Sequence, residues 1–519
     1  MKEAGVLAGA ARPKVPHAHT HDHSHSHSHS HDHSHGGGGH KIPKAHTDPS
    51  SRPPQSNDPR LGASHRARQS PYPLLSVSDA VAKILEVTPS PTPETRPLSA
   101  DLVGCIISSD ITAPEAVPAY RASIVDGYAV IVPEDSSERH KTKGTFPVAS
   151  VSHAQASSMP PPLQPGEIAR ITTGAPLPDN ANAVVMVEDT VIASLTTPVD
   201  GTATTEEKEV TILTDAISPG ENIREPGSDI KQGSTILPLG TLISSLGGEI
   251  GVLAASGTHS VPVHRRPRLG VLSTGDEVTD ITHPGPLTGG MIRDSNRPSL
   301  LSLISSWRLC AEVVDLGIAR DTPASTLETA LRDAYRLHDL DVVVTTGGVS
   351  MGELDLLKPT IERTLGGTIH FGRVNMKPGK PSTFASVPVK PSGGTSARTQ
   401  RLVFALPGNP ASALVTANLF LLPSLQKMAG VLEPRGLQRV TVRLAERMKC
   451  DAARPEYHRV VVGVDVSGML VARSTGGQRS SRVGSLGGAN GLAILPAKEG
   501  GVEAGERCEC LLMGMVEGL

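Results

Sequence analysis

Three stretches of this chain set glycines beside hydroxyls or acids at places where a strand would end. They are Ser273-Thr274-Gly275-Asp276-Glu277, Thr345-Thr346-Gly347-Gly348-Val349-Ser350 running on to Asp355, and Pro407-Gly408-Asn409-Pro410. Each follows a short apolar run ending at Leu272, Val344 or Leu406. Glycine lets backbone N–H groups approach phosphate oxygens closely, and a helix starting just after the loop adds positive potential. A tight turn alone would account for any one of these loops, but three in one block point to phosphate chemistry. Asp276, Glu277, Asp294, Asp321 and Asp355 lie in or near the loops and suit a hard, oxygen-seeking cation such as Mg²⁺. Arg373, Lys377 and Lys380 lie on or beside a turn stiffened by Pro378 and Pro381, which reads either as a pocket for a small oxyanion or as a solvated basic loop.

There is no GxxxxGK[ST] loop and no HExxH, so P-loop NTPases and zinc proteases of that type are excluded; a GxSxG elbow of an α/β-hydrolase is likewise not expected, nor is a side-chain nucleophile. With 49 Lys plus Arg against 52 Asp plus Glu, the net charge of -3 gives no general attraction to nucleic acid or membrane. The longest largely apolar run, 413–423, is far short of the roughly 20 residues that cross a bilayer. The N-terminus lacks an apolar secretory stretch, and the five cysteines form no CxxC pair, so a reducing, cytoplasmic setting is expected.

Around the chemistry the sequence divides into blocks. Residues 1–72 hold almost no large apolar side chain and read as a disordered tail and linker, with twelve of the 21 histidines before residue 50. The alternating tract from His17 to His35 would capture Zn or Ni incidentally, since a period of two fixes no coordination geometry. Ser76 and Asp79 before apolar positions at helical spacing predict a helix there. Segments 73–112 and 215–266 read as a linking domain, split by a β-rich inserted domain over 113–214. From 267 to 431 apolar strands alternate with helical stretches at 296–306, 325–337 and 410–428, the pattern of a parallel sheet covered by helices. Residues 432–519 return to alternating Val-rich runs and predict a small C-terminal β domain. In a parallel sheet, ligands bind at the carboxyl ends of the strands, where the three glycine loops fall.

Several runs resemble the molybdopterin molybdotransferases, the MoeA type of bacteria and the E domain of eukaryotic gephyrin. They include Ser123-Ile124-Val125-Asp126-Gly127-Tyr128, Arg170-Ile171-Thr172-Thr173-Gly174-Ala175-Pro176, Ile292-Arg293-Asp294-Ser295-Asn296 and Met376-Lys377-Pro378-Gly379-Lys380-Pro381. Arg454-Pro455-Glu456-Tyr457-His458-Arg459 and Ser480-Ser481-Arg482 extend the likeness through the C-terminal block, so that it covers about residues 70–519. The resemblance implies a multi-domain α/β homodimer that takes adenylylated molybdopterin, inserts molybdate and releases AMP. By position it implies catalytic roles for Asp126, Thr173, Asp229, Glu277, Asp321 and Asp355, the last three as metal ligands. Cofactor binding falls to Ser273, Thr274, Gly275, Asp294, Asn296, Gly347, Gly348, Ser350, Arg373, Lys377, Lys380, Pro407, Gly408, Asn409 and Pro410. Arg373 stands where some members carry Lys. Fused members have an adenylyltransferase domain in front, so an adenylyltransferase domain or protein is expected as a partner. Two alternatives remain: a gephyrin-like scaffold, or the C-terminal half of a fused enzyme.

Overall fold

The computed structural model describes residues 71–154, 159–196, 206–323, 325–349, 356–390 and 398–518. The histidine tract, Ser350 and Asp355 lie outside them. Helix Val77–Val87 starts where the sequence places it, because the Ser76 hydroxyl accepts from the Asp79 N–H at 3.1 Å. Its Ala80 and Ile84 are fully buried against the largest apolar core.

The chain then crosses between modules. Strand Pro93–Pro97 pairs antiparallel with Ser260–His264, and Ile111–Thr112 with Thr235–Leu237, so two segments far apart in sequence share one small core around Leu102, Ile107, Leu253 and Val263. Between them lies a six-stranded sheet ordered Ala183–Met186, Gly127–Val130, Ile168–Ile171, Gly144–Ser152, Glu207–Ile212 and Thr190–Leu195. Gly127 sits where a Cβ would come within 1.9 Å of the Val185 carbonyl oxygen, so the neighbouring strand can pack this closely only against glycine.

The α/β block carries a second six-stranded sheet, ordered Glu312–Ala319, Arg268–Thr274, Val342–Thr346, Thr399–Leu406, Thr383–Val389 and Thr368–Phe371. The first four strands are parallel, and the inner three carry the apolar runs expected of strands buried on both faces. The last two are antiparallel, which the sequence reading does not anticipate. Helices Asn296–Ser306, Ser325–Arg336 and Pro410–Thr416 cover the sheet, the last continuing through a π-turn to Met428. In the C-terminal block, five strands close on themselves as a barrel through the pairing of Glu456–Val464 with Leu470–Ser474.

At the amino ends of the parallel strands, Asp341 is a hub. It accepts from the Arg268 N–H at 2.9 Å and from Arg265 at 3.0 Å, and Arg401 pairs with its other oxygen. Because the carboxylate is largely buried, Asp341→Ala is expected to lower stability by about 3 kcal/mol by stranding these donors, a loss measurable by urea unfolding.

Candidate active site

The three glycine loops meet. Thr274, at the end of strand Arg268–Thr274, donates its hydroxyl to the Thr346 carbonyl at 3.2 Å, and the Gly347 N–H donates to the Leu406 carbonyl at 3.1 Å. Gly347 has φ +97°, and a Cβ there would lie 2.6 Å from the Thr274 carbonyl oxygen. Glycine is therefore required on both steric and conformational grounds. Asn296, 7% exposed at the start of its helix, donates through one amide nitrogen to the Thr346 hydroxyl and the Gly408 carbonyl, each at 2.8 Å. Its Oδ1 and the buried Ser273 hydroxyl have no partner among the described residues. Unpaired buried acceptors and donors are costly, so their survival at the carboxyl edge of a parallel sheet marks a place for a polar ligand.

The acids near this edge separate into two groups. Asp276 Oδ1 accepts the N–H of Asp321 at 3.0 Å and of Thr322 at 3.3 Å, and Arg320 donates to the carbonyls of Asp276 and Val278. The corner after Ala319 is thereby clamped to the corner after Thr274. The hydrogen bond from the Thr322 side chain, followed by backbone N–H groups, holds the Asp276 carboxyl below its usual range. Glu277 is exposed and folds back over Gly275, with Asp321 on the adjoining corner. Asp294, expected to bind cofactor, instead holds Arg297: its oxygens accept the Arg297 Nε at 2.9 Å and backbone N–H at 3.1 Å. Asp280 and Asp315 take the rest of that buried guanidinium. Desolvation of the guanidinium opposes its charge, but the carboxylates outweigh it and hold it firmly protonated. The sequence reading misses this because a buried arginine with three acids looks the same, along the chain, as a cluster awaiting a cation.

The basic turn is more engaged than its sequence suggests. Lys377, expected to contribute an open positive charge, reaches into the C-terminal barrel, where Glu456 lies at 2.9 Å and Asp451 at 3.6 Å. Its backbone also exchanges hydrogen bonds with Pro455 and Tyr457. Two carboxylates offset its charge, so it works as a strut between blocks. Arg373 donates to the Tyr72 carbonyl at 2.6 Å, whereas Lys380 is exposed and without an ion pair among the described residues. The barrel makes another contact through Ser480, whose carbonyl accepts the Ala411 N–H at the start of the helix following Pro407-Gly408-Asn409-Pro410. Arg459 anchors that loop from fully buried surroundings, donating to Ser485 Oγ and the Arg479 carbonyl; burial pulls its pKa down to about 10.

Asp126 and Thr173 are joined on the β-rich module, the Thr173 N–H donating to Asp126 at 2.8 Å, and both are exposed. Asp229 pairs with Arg224 at 3.2 Å. These three lie on other elements than the corners. Gly348-Val349-Ser350-Met351-Gly352 does spell the G-x-S-x-G elbow pattern, so the expectation that no side chain is the nucleophile does not follow from pattern alone.

Residues 75–257 match the MoeA N-terminal region (domain I and II), 270–427 a probable molybdopterin binding domain, and 441–513 the MoeA C-terminal region (domain IV). A molybdopterin molybdenumtransferase of Nostoc sp. is 32% identical over 84% of this chain and 93% of its own length. The chain belongs to the molybdopterin molybdenumtransferase family. A gephyrin of Dictyostelium discoideum is 35% identical over 86% of this chain, which spans only 64% of that protein. A MoeA protein of Pyrococcus horikoshii superposes with a TM-score of 0.65 at 27% identity, covering 85% of this chain and all of that one. Within this family frame the Asn296 clasp, the Arg320 clamp and the Lys377 strut are features of side-chain geometry that the motif runs alone do not disclose.

Burial raises the Glu456 carboxyl, but contacts from His458 and Lys377 outweigh it and hold the carboxyl below its usual range. A carboxyl depressed on folding stabilises fully above its unfolded pKa and loses that contribution as pH falls through the folded value. The stability difference between the native chain and Glu456→Gln is therefore expected to be constant from pH 7 to about 5 and to shrink below about 4, as read by urea titrations at each pH.

Proposed function

We propose that the chain inserts molybdate into adenylylated molybdopterin, releasing AMP and giving molybdenum cofactor. The observation that carries this reading is the convergence of three glycine corners on the Asn296 amide at the carboxyl edge of the parallel sheet. Such an edge offers closely approachable backbone and unpaired hydroxyl and amide groups to a pterin phosphate and its adenylate. Ser273, Thr274, Gly275, Gly347, Gly348, Gly408 and Asn409 are the proposed contacts, with Ser350 completing the second loop and Pro407 and Pro410 stiffening the third. Molybdate is a tetrahedral dianion and needs a cation that is not already neutralised; Lys380 meets that need, with Arg373 beside it.

Mg²⁺ is a further part of the proposal, with Glu277, Asp321 and Asp355 as its carboxylates. Among the described residues no three His, Cys, Asp or Glu side chains lie close enough to hold a metal, so the described part of the site does not make a cation site by itself. The protein's own groups fix the phosphoanhydride, exclude its free rotation and place the oxyanion. We further propose a cytoplasmic homodimer in which Asp126, Thr173 and Asp229 complete the cleft of the second copy, working with an adenylyltransferase that supplies the substrate. The exposure of the Asp126/Thr173 pair, on elements other than the corners of its own chain, supports that arrangement.

Incubation with adenylylated molybdopterin and molybdate, followed by measurement of AMP, tests the reading; no molybdate-dependent AMP release would refute it. Asn296→Ala removes two buried hydrogen bonds and is expected to lower AMP release at least a hundredfold at saturating molybdate, while lowering stability by only about 2 kcal/mol. Lys380→Ala is expected to raise the molybdate needed for half-maximal turnover about tenfold, one charge-assisted hydrogen bond, with pterin binding little changed. A molybdate titration of the variant separates the two effects.

A further inference from the structure

A cavity of about 540 Å³ lies at the opposite end of the α/β sheet from the glycine corners. It is formed by the last turn of helix Ser325–Arg336, the turn at Thr364–Gly366, and the open end of the hairpin pairing Val389 with Thr399. The strand from Thr399 to Leu406 separates the two sites by roughly 20 Å at ~3.3 Å per residue. Arg332, Arg336, Arg363, Lys390 and Arg398 line the cavity, and among the described residues no carboxylate does.

The charge is only partly explained by the fold. Cations complement the carboxyl ends of helices, which accounts for Arg336 and Arg363. Lys390 and Arg398 come from the hairpin and have no such reason to be there. Of the acids near this edge, Glu328 offsets one of the cavity's own arginines, accepting Arg332 Nε at 2.8 Å, and Asp339 pairs with Arg401 at 2.7 Å. Arg336, Lys390 and Arg398 have no ion pair among the described residues. Arg332 is held in place, its Nη2 donating to the Thr364 carbonyl at 2.9 Å, so that guanidinium is preorganised. Behind the charges lies an apolar floor of Tyr335, 4% exposed, with Leu365 and Val387. The Tyr335 hydroxyl is tied to the Leu402 carbonyl, which fixes its ring.

An apolar floor under several converging cations, in a volume within the roughly 300–1,000 Å³ of small-molecule sites, suits a ligand with a flat ring at one end and a chain of negative charges at the other. We propose that this cavity binds a nucleoside di- or triphosphate, its phosphates against Arg336, Lys390 and Arg398 and its base over Tyr335 and Leu365. The proposal does not depend on the reaction at the corners.

Isothermal titration of the full chain with ADP and, separately, with inorganic triphosphate tests it. ADP is expected to bind the native chain, and Arg336→Glu/Arg398→Glu to weaken that binding at least tenfold, while Asn296→Ala at the corners leaves it in place. Both arginines are exposed, so AMP release by the double variant is expected to stay at the native level, which shows that it has folded. The milder Arg336→Gln/Arg398→Gln is expected to fall between the two. An ADP isotherm identical in the native chain and the charge-reversed variant, or no ADP binding by native chain below about 1 mM, a free energy of about -4 kcal/mol, overturns the site. Inorganic triphosphate binding as tightly as ADP overturns the assignment of the floor to a base and leaves a phosphate-chain site alone.

Discussion

One buried amide holds the candidate active site in shape. Asn296 sends both hydrogens of a single nitrogen into different corner loops, to the Thr346 hydroxyl and the Gly408 carbonyl, and these loops also bond to each other through Gly347 and Leu406. Loops normally move more than the elements they join, and a cradle for a phosphoanhydride needs its donors fixed before the ligand arrives. Asn296 can do this because the adjacent Arg297 is itself immobilised by Asp280, Asp294 and Asp315. Desolvating that guanidinium is expensive, and removing one acid would leave the others' partner underpaired. The ion-pair group is best understood as the support beneath the amide.

The same economy governs the join between the α/β block and the C-terminal barrel. Lys377 enters the barrel as a charged strut, its backbone pairs with Glu456 as an isolated bridge, and Ser480 returns the contact at the start of the Pro410 helix. These contacts fix the basic turn at one end and the third glycine corner at the other. The barrel therefore sets the position of Lys380 without itself having to supply an open charge. A cation that is neutralised contributes geometry, and a cation that is left exposed contributes attraction; the two lysines of one turn divide those tasks.

The three-corner plan and the order of the elements are legible along the chain. Apolar runs, glycines and helical spacing are local signals, and they place the strands at Arg268–Thr274, Val342–Thr346 and Thr399–Leu406 and the helices that cover them. Strand Thr383–Val389 is not legible in this way. Its residues carry the ordinary marks of a buried strand, and only its partner, Thr399–Leu406, decides that it runs antiparallel.

The identity of the acids and cations is equally plain in the sequence, but their assignment is not. Asp294 and Lys377 look like ligands by residue type and position, yet each is consumed by a partner brought close in space: Arg297 one helical turn away, and Glu456 79 residues on. Asp276 also looks like a cation ligand, and one of its oxygens ties two corners together. A charge has one meaning when solvated and another when a counter-charge lies within about 4 Å in a desolvated setting, because Coulomb energy and desolvation nearly cancel and the residue pairs settle which wins. Sequence alone determined which chemical groups this protein has and on which strand ends they fall. Tertiary structure decided which of them are already spent.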